Sequence, residues 1–151
     1  MPDSYRDKIE AGRPRLYAVA KENYGLDLNP GPWGIDSRPS HVGAQFAYAQ
    51  GKGEAYNEAV LRGYWHEAKD ISDLNVLAGI AESVGLPRVE FLQSLTDEGY
   101  QSAMMSDVEQ AFNYGLQGVP ALIFANKYLV SGAQPYPVLE EVVQKIQADL
   151  A

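Results

Sequence analysis

The chain has 151 residues, of which 46% are hydrophobic, so one domain with a buried core is expected and a disordered chain is excluded. Its 12 Lys and Arg residues against 20 Asp and Glu residues give a formal net charge of −8. A surface this negative repels phosphate backbones and anionic lipid headgroups, so we expect no nucleic-acid partner and no membrane partner.

Cysteine is absent from the sequence. Its absence excludes disulfides, thiolate nucleophiles, cysteine metal sites and a C-x-x-C redox centre within this chain. The first eight residues are polar and lack the apolar stretch of a secretory signal, and no apolar run approaches the roughly 20 residues that span a bilayer. If Met1 is the true start, we expect a cytoplasmic protein.

Helical patterns fill the first two-thirds of the chain. The first predicted helix runs from about Tyr5 to Tyr24, with a kink or break at Pro14 and a stop at Gly25. A loop rich in Asn, Pro and Gly follows over residues 27–36.

Further helices are predicted over residues 37–50, 54–68, 73–84 and 87–95. Ser37 or Ser40 begins the first of them, and N-capping is the role that we assign to Ser40. Ser72 is the predicted N-cap of the third helix, and Gly85 fits the position just after its end.

A longer helix is predicted to open at Thr96 or Asp97 and to end near Gly115. One face of it is predicted to be core, and that face carries Tyr100, Met104, Val108 and Phe112.

Beyond Gly115 the pattern becomes strand-like. Residues 121–125 form a nearly continuous apolar run, typical of a strand buried on both faces, and 128–131 form the return strand. The pair 126–127, Asn-Lys, is the predicted two-residue turn, since Asn tolerates positive φ. The last predicted helix faces this hairpin with an apolar stripe of Val138, Leu139, Val142, Val143, Ile146 and Leu150.

The first of these strands lacks a neighbour. A strand that is apolar on both faces is typical of the middle of a sheet, and an isolated two-stranded hairpin is marginal in water. Because the sequence shows no third strand, we expect an open edge at residues 121–125, which is a template for pairing with a second copy or with another chain. The alternative is that the first helix or the loop 27–36 covers this edge.

Three segments resemble the DsbA superfamily of thioredoxin-fold proteins: residues 118–120 (Gly-Val-Pro), 130–135 (Val-Ser-Gly-Ala-Gln-Pro) and 64–73. The similarity runs from about Arg13 to the C-terminus and is greatest to the FrnE branch, the predicted dithiol–disulfide isomerases. This branch is related to 2-hydroxychromene-2-carboxylate isomerases and kappa-class glutathione transferases. The resemblance implies a mainly helical α/β fold in one structural unit, with a DsbA-type helical insertion over 1–115 and the C-terminal ββα part of a thioredoxin fold over 116–151.

In that family a strand, the C-x-x-C helix and a second strand precede the helical insertion, and the first of these strands lies beside the strand after the Val-Pro bond. Nothing before Arg13 resembles this βαβ part, so we expect it to be missing. The family implies a protein disulfide oxidoreductase or isomerase, but without cysteine the chain is expected to be inactive in dithiol exchange alone. A homo-oligomeric binding module that uses the strand edge is one alternative function, and a glutathione-dependent isomerase or transferase relative is another.

The resemblance makes Val119 and Pro120 the substrate-binding residues, with their peptide bond cis and the backbone of Val119 facing a peptide or thiol substrate. A rigid turn is the alternative role. Kappa-class enzymes hold the charged end of glutathione with Asp and Arg, where this chain has Gln134 and Pro135, which argues against glutathione chemistry. No catalytic residue and no cofactor are predicted.

The two histidines, His41 and His66, are predicted on different helices with no acidic residue at a ligand-like spacing, so no metal site is predicted. Ser40 and His41 are adjacent on a helix and diverge, which makes them a poor nucleophile–base pair. Trp33 and Trp65 are interpreted as core or hinge packing.

Overall fold

The computed structural model describes the backbone of residues 3–150 and the side-chain environments of residues 7, 8 and 10–149. In this described part the elements are α1 (Asp3–Tyr24), α2 (Arg38–Ala49), α3 (Gly53–Trp65), α4 (Leu74–Ser83), α5 (Arg88–Ser94), α6 (Glu98–Asn113), β1 (Ala121–Phe124), β2 (Tyr128–Ser131) and α7 (Tyr136–Leu150). The expectation of a mainly helical α/β fold with one hairpin is confirmed. Among these helices, none combines the length and hydrophobicity that a membrane span requires.

The chain divides into two compact units, residues 1–104 and 105–151, and the division falls inside α6. The core of the first unit lies between helices α2, α3, α4 and α5. Its largest fully buried side chains are Tyr56, Leu77 and Phe91. Phe46 packs edge-on against Phe91, with ring centroids 6.1 Å apart, and against Tyr100 at 5.7 Å. This aromatic packing joins the start of α6 to the core of the unit.

Glycines end two helices as the sequence predicts. Gly25 and Gly85 follow α1 and α4 with φ of +68° and +81°, a conformation that a side chain makes costly. Beyond Gly85, the N–H of Leu86 donates to the carbonyl of Ala81 at 3.0 Å, which satisfies one of the last carbonyls of α4.

The N-cap of α4 is Asp73, and the prediction of Ser72 is wrong. The Asp73 carboxylate accepts the backbone N–H of Asn75 at 2.7 Å. The Ser72 hydroxyl is engaged one turn earlier, where it donates to the carboxylate of Asp70 at 2.5 Å. This bond lowers the pKa of Asp70 and leaves Asp73 to cap the helix.

The assignment of Ser40 as an N-cap is also wrong. Helix α2 begins at Arg38, and Ser40 is buried in its first turn, where its hydroxyl donates to the carbonyl of Ser37 at 2.7 Å. The chain turns early because the Asp36 carboxylate accepts both the backbone N–H and the guanidinium of Arg38, at 3.0 and 2.6 Å. These bonds lower the pKa of Asp36 to about 2.

Two further helix boundaries differ from the sequence prediction. Helix α1 is continuous through Pro14, so the predicted break does not occur. Helix α3 ends at Trp65 and not at Ala68, because Ala68 has a φ of +54° and gives its N–H to the carbonyl of Asn29 at 3.0 Å. The end of α3 is thereby tied to the loop that follows α1.

In the second unit β1 and β2 pair antiparallel, with Ala121 opposite Ser131 and Phe124 opposite Tyr128. Within the described residues this is a two-stranded sheet, as the sequence predicts. The turn lies one residue earlier than predicted, because β1 ends at Phe124. Ala125 and Asn126 have the positive φ values, +50° and +54°, and the N–H of Lys127 donates to the carbonyl of Phe124 at 3.0 Å.

The apolar faces of α6 and α7 are only partly covered. Met104 packs against the helical core as predicted. The prediction of a core position is wrong for Val108 and Phe112, because both are exposed, Phe112 by 76%. On α7 Ile146 is buried and Asp149 accepts the hydroxyl of Tyr128 at 3.2 Å, but Val138 and Val143 stay more than a third exposed. The second unit therefore leaves much of its apolar surface open.

Candidate functional site

The loop before β1 holds the two residues that the sequence predicts to bind substrate. The peptide bond between Val119 and Pro120 is cis, the isomer that the resemblance implies. Val119 is 93% exposed, so its side chain contributes little to the stability of the loop. The backbone at this position is the part of the loop that is available for recognition.

A backbone hydrogen bond fixes this loop on the hairpin. The carbonyl of Pro120 accepts the N–H of Gly132 at 2.8 Å, directly beyond the end of β2. Close by, the side-chain amide of Gln134 donates to the carbonyl of Ser131 at 2.9 Å. The Val-Pro segment and the Ser-Gly-Ala-Gln-Pro segment, which are ten residues or more apart in sequence, therefore lie together at one end of the hairpin.

The backbone of Val119 has no hydrogen-bond partner in the part of the chain that the structure describes. One residue that offers both its N–H and its C=O is what an extended peptide needs for antiparallel pairing. With its exposed position, Val119 can form such a pair with no prior rearrangement of protein hydrogen bonds.

The hydrogen bond between Gly132 and Pro120 also determines which backbone groups of β1 are free. Residues opposite each other in an antiparallel pair alternate between bonded and non-bonded positions. Since Pro120 and Gly132 are a bonded pair, Leu122 and Phe124 also bond to β2. The N–H and C=O groups of Ala121 and Ile123 therefore point away from β2, along the free edge of β1.

The two edges of the hairpin are not equivalent. On β2 the outward-pointing groups are those of Leu129 and Ser131, and the Ser131 carbonyl is already bonded to Gln134. On β1 the described residues provide no partner for Ala121 or Ile123. The edge of β1 is therefore the open one, and it continues the line of unpaired backbone groups that starts at Val119.

The two histidines, which the sequence also singles out, belong to no metal-binding group in the part of the chain that the structure describes. The sequence has no cysteine, and the residues that the structure describes contain no group of three or more His, Asp or Glu side chains able to hold a metal ion. His41 is exposed on α2, and His66 lies after α3 with its Nδ1 2.9 Å from the carbonyl of Asp27. The loop at Val119 presents unpaired backbone groups, and its residues 118–120 carry no nucleophilic side chain.

The sequence interpretation missed a cavity in the first unit. Trp33 and Trp65 are 46% and 36% exposed, so they are not core residues, and both line this cavity together with residues of α1. The residues come from three separate segments of the chain, so no local pattern could have indicated the cavity.

Proteins similar to this chain include an uncharacterized bacterial protein and a probable DsbA oxidoreductase. The uncharacterized protein YwbO of Bacillus subtilis is 28% identical over 132 residues, which cover 83% of this chain and 64% of that protein. A probable DsbA oxidoreductase from Streptomyces coelicolor superposes with a TM-score of 0.79 at 26% identity, covering 94% of this chain and 62% of that one. The chain spans less than two thirds of the length of both.

Two more solved structures show the fold alone. A putative protein disulfide isomerase from Nitrosomonas europaea gives a TM-score of 0.73 at 15% identity. The match covers 100% of this chain and 77% of that protein's chain. A 2-hydroxychromene-2-carboxylate isomerase gives a TM-score of 0.80 at 21% identity, and the match covers 97% of this chain and 72% of that one.

Residues 7–144 match the family model of the DSBA-like thioredoxin domain. The chain therefore belongs to the DSBA-like thioredoxin domain family.

Proposed function

We propose that this chain binds an extended peptide or a thiol substrate at Val119 and Pro120, and that it does not carry out dithiol–disulfide exchange by itself. One observation carries the proposal: the backbone of Val119 is exposed and unpaired among the described residues, in a sequence without cysteine. The name of one similar structure, a probable DsbA oxidoreductase at 26% identity, supports proteins with thiols or disulfides as the substrate class.

Thiol–disulfide exchange requires a thiolate that attacks a disulfide sulfur and forms a mixed disulfide. No residue of this chain can supply that sulfur. Within the family we assign the chain to the FrnE-like members, on the strength of the Ser-Gly-Ala-Gln-Pro segment at 131–135. As its location we propose the cytoplasm.

The redox part of the proposal is tested by insulin reduction. The chain is incubated with insulin and dithiothreitol, and the appearance of turbidity is followed beside a C-x-x-C protein of the family as a positive control. We expect the rate to equal that of dithiothreitol alone. Turnover above this background would overturn the proposal.

The binding part is tested with fluorescein-labelled, carboxymethylated insulin B chain, which is extended and has no free thiol. Val119→Pro removes the backbone N–H, and we expect the affinity measured by fluorescence anisotropy to fall about fivefold, the worth of one hydrogen bond. Val119→Ala keeps the N–H and removes an exposed side chain, so it should bind like the wild type. Equal binding by all three proteins would contradict the proposed site.

A second candidate function is a homo-oligomeric binding module that pairs strand edges. The specific observation in its favour is the open edge of β1, where Ala121 and Ile123 present unpaired backbone groups while the edge of β2 is partly closed by Gln134. Light scattering at micromolar concentration should then report a dimer. A monomer under these conditions would argue against this function.

The third alternative, a glutathione-dependent isomerase or transferase relative, has less support. The side-chain amide of Gln134 is already bonded to the Ser131 carbonyl, and Pro135 has no charge with which to hold glutathione.

A further inference from the structure

A cavity of about 240 Å³ lies in the first unit, between α1, the loop that follows it and the end of α3. Its walls are mainly aromatic: Tyr17 comes from α1, Trp33 from the loop, and Tyr64 and Trp65 from α3. Arg13 of α1 is the charged residue among those that line it. The cavity therefore combines flat apolar walls with one cation.

The wall formed by the loop and α3 is held by backbone hydrogen bonds. The N–H of Asn29 donates to the carbonyl of Trp65, and the N–H of Gly31 donates to that of Tyr64, both at 2.7 Å. Gly31 is needed here because a Cβ would collide with the carbonyl of Lys69 and would lie 2.9 Å from the Tyr64 ring. The rings of Tyr64 and Trp65 meet edge-on at 5.1 Å. This wall is preformed.

Arg13 supplies the positive charge at the cavity. Its guanidinium carbon lies 4.5 Å from the centre of the Trp33 ring, a cation–π arrangement that fixes the head group at the cavity. Its Nε is buried and has no hydrogen-bond partner among the described residues. The two Nη nitrogens are not among the buried atoms and have no hydrogen-bond partner among the described residues, so a ligand in the cavity can supply their acceptor.

We propose that this cavity binds a small aromatic carboxylate. The ring would lie between the aromatic side chains, and the carboxylate would accept an N–H of the Arg13 Nη groups in a charge-assisted hydrogen bond. A dry cavity of about 150 Å³ is enough for benzene, so this one accommodates a single ring with a short acid chain. The cavity belongs to the first unit and Val119 to the second, and this proposal does not depend on the function proposed for the loop at Val119.

The two tryptophans of the sequence both line this cavity, so tryptophan fluorescence reports on it directly. Phenylacetate, which absorbs little at the excitation wavelength, is titrated beside neutral phenylacetamide and beside acetate. We expect a saturable change with phenylacetate, binding about tenfold weaker for phenylacetamide, and no saturable change with acetate. No saturable change with phenylacetate, or equal affinity for the acid and its amide, overturns the proposal without any variant.

Variants then test the role of Arg13. Arg13→Met keeps the length of the side chain and removes the charge, so we expect it to bind acid and amide equally weakly. Arg13→Lys keeps the charge and should retain the preference for the acid. Arg15→Met is the matched control on the same helix, because Arg15 is exposed and does not line the cavity, and it should bind like the wild type. A persistent preference for the acid in Arg13→Met would overturn the proposal.

Discussion

Tyr56 places an unsatisfied polar group in the core of the first unit. Its side chain is fully buried, yet its hydroxyl has no hydrogen-bond partner within the described residues. The hydroxyl oxygen lies so close to Gly43 that a Cβ there would be 2.7 Å from it. Burial raises the pKa of Tyr56, because an ionised phenol would lose its hydration.

Removing this hydroxyl should therefore stabilise the protein. An unsatisfied buried donor costs about 1–3 kcal/mol, so we expect Tyr56→Phe to raise the free energy of unfolding by about 1 kcal/mol. Urea denaturation followed by circular dichroism measures the change. Tyr24→Phe is the control, since Tyr24 is 73% exposed and should change stability by less than about 0.5 kcal/mol. A loss of stability in Tyr56→Phe would show that the hydroxyl has a partner after all.

At the residue scale, the sequence predicts a required backbone conformation better than it predicts which of two neighbouring polar residues caps a helix. Gly85 could be placed because a helix end with positive φ favours glycine wherever it occurs. The caps could not be placed, because Ser72 and Asp73 are both good N-capping residues and the choice depends on the bond from Ser72 to Asp70. That bond depends on the path of the preceding turn, which sequence spacing does not specify.

At the scale of elements, the hairpin turn conflicts with local preference. Ala125 has a φ of +50°, which costs an L-residue with a Cβ roughly 1–2 kcal/mol. The sequence prediction favoured the next pair of residues because Asn is the residue that tolerates this conformation, and the pairing of Phe124 with Tyr128 moves the turn onto the alanine. The strand register overrides the turn preference here.

Ala125→Gly should strengthen the hairpin. Glycine removes the steric cost at positive φ but adds about 0.5–1 kcal/mol of backbone entropy, so we expect a net gain of about 0.5–1 kcal/mol. Hydrogen exchange at the amide of Leu122, which bonds to β2, should then slow about two- to fivefold. Ala121→Gly is the control, because it adds the entropy cost without relieving a positive φ, and should speed exchange. Faster exchange in Ala125→Gly would contradict this account.

The two candidate sites, the loop at 118–120 and the cavity in the first unit, differ in whether the sequence indicates them. The loop at 118–120 is a candidate from the sequence alone, because its residues are contiguous and match a family pattern, and its binding role stays a prediction. The cavity in the first unit could not be predicted, because Arg13, Trp33 and Trp65 meet only when α1, the loop after it and the end of α3 are assembled. The exposure of Phe112 was also not predictable from the sequence. The helical periodicity of α6 shows which residues share a face, but it does not show whether another element covers that face.

At the scale of the whole molecule, the open edge of β1 is the feature with the largest consequence for assembly. Natural edge strands are protected by charges, prolines or bulges, whereas β1 reads Ala-Leu-Ile-Phe and carries none of these. Its outward backbone groups, at Ala121 and Ile123, are available to a second copy of the chain, and half-exposed side chains such as Leu122 would be covered by the pairing.

A proline placed on this edge tests the pairing without disturbing the hairpin. The N–H of Ile123 points away from β2, so Ile123→Pro removes an outward donor and no bond within the hairpin. Leu129→Pro is the matched control, because Leu129 lies opposite and its N–H points outward from the edge of β2. If β1 edges pair, light scattering should show that Ile123→Pro is monomeric at concentrations where the wild type and Leu129→Pro are dimeric. A dimer that survives Ile123→Pro must be held by another surface, because a proline in the middle of a four-residue strand leaves too few donors for strand pairing.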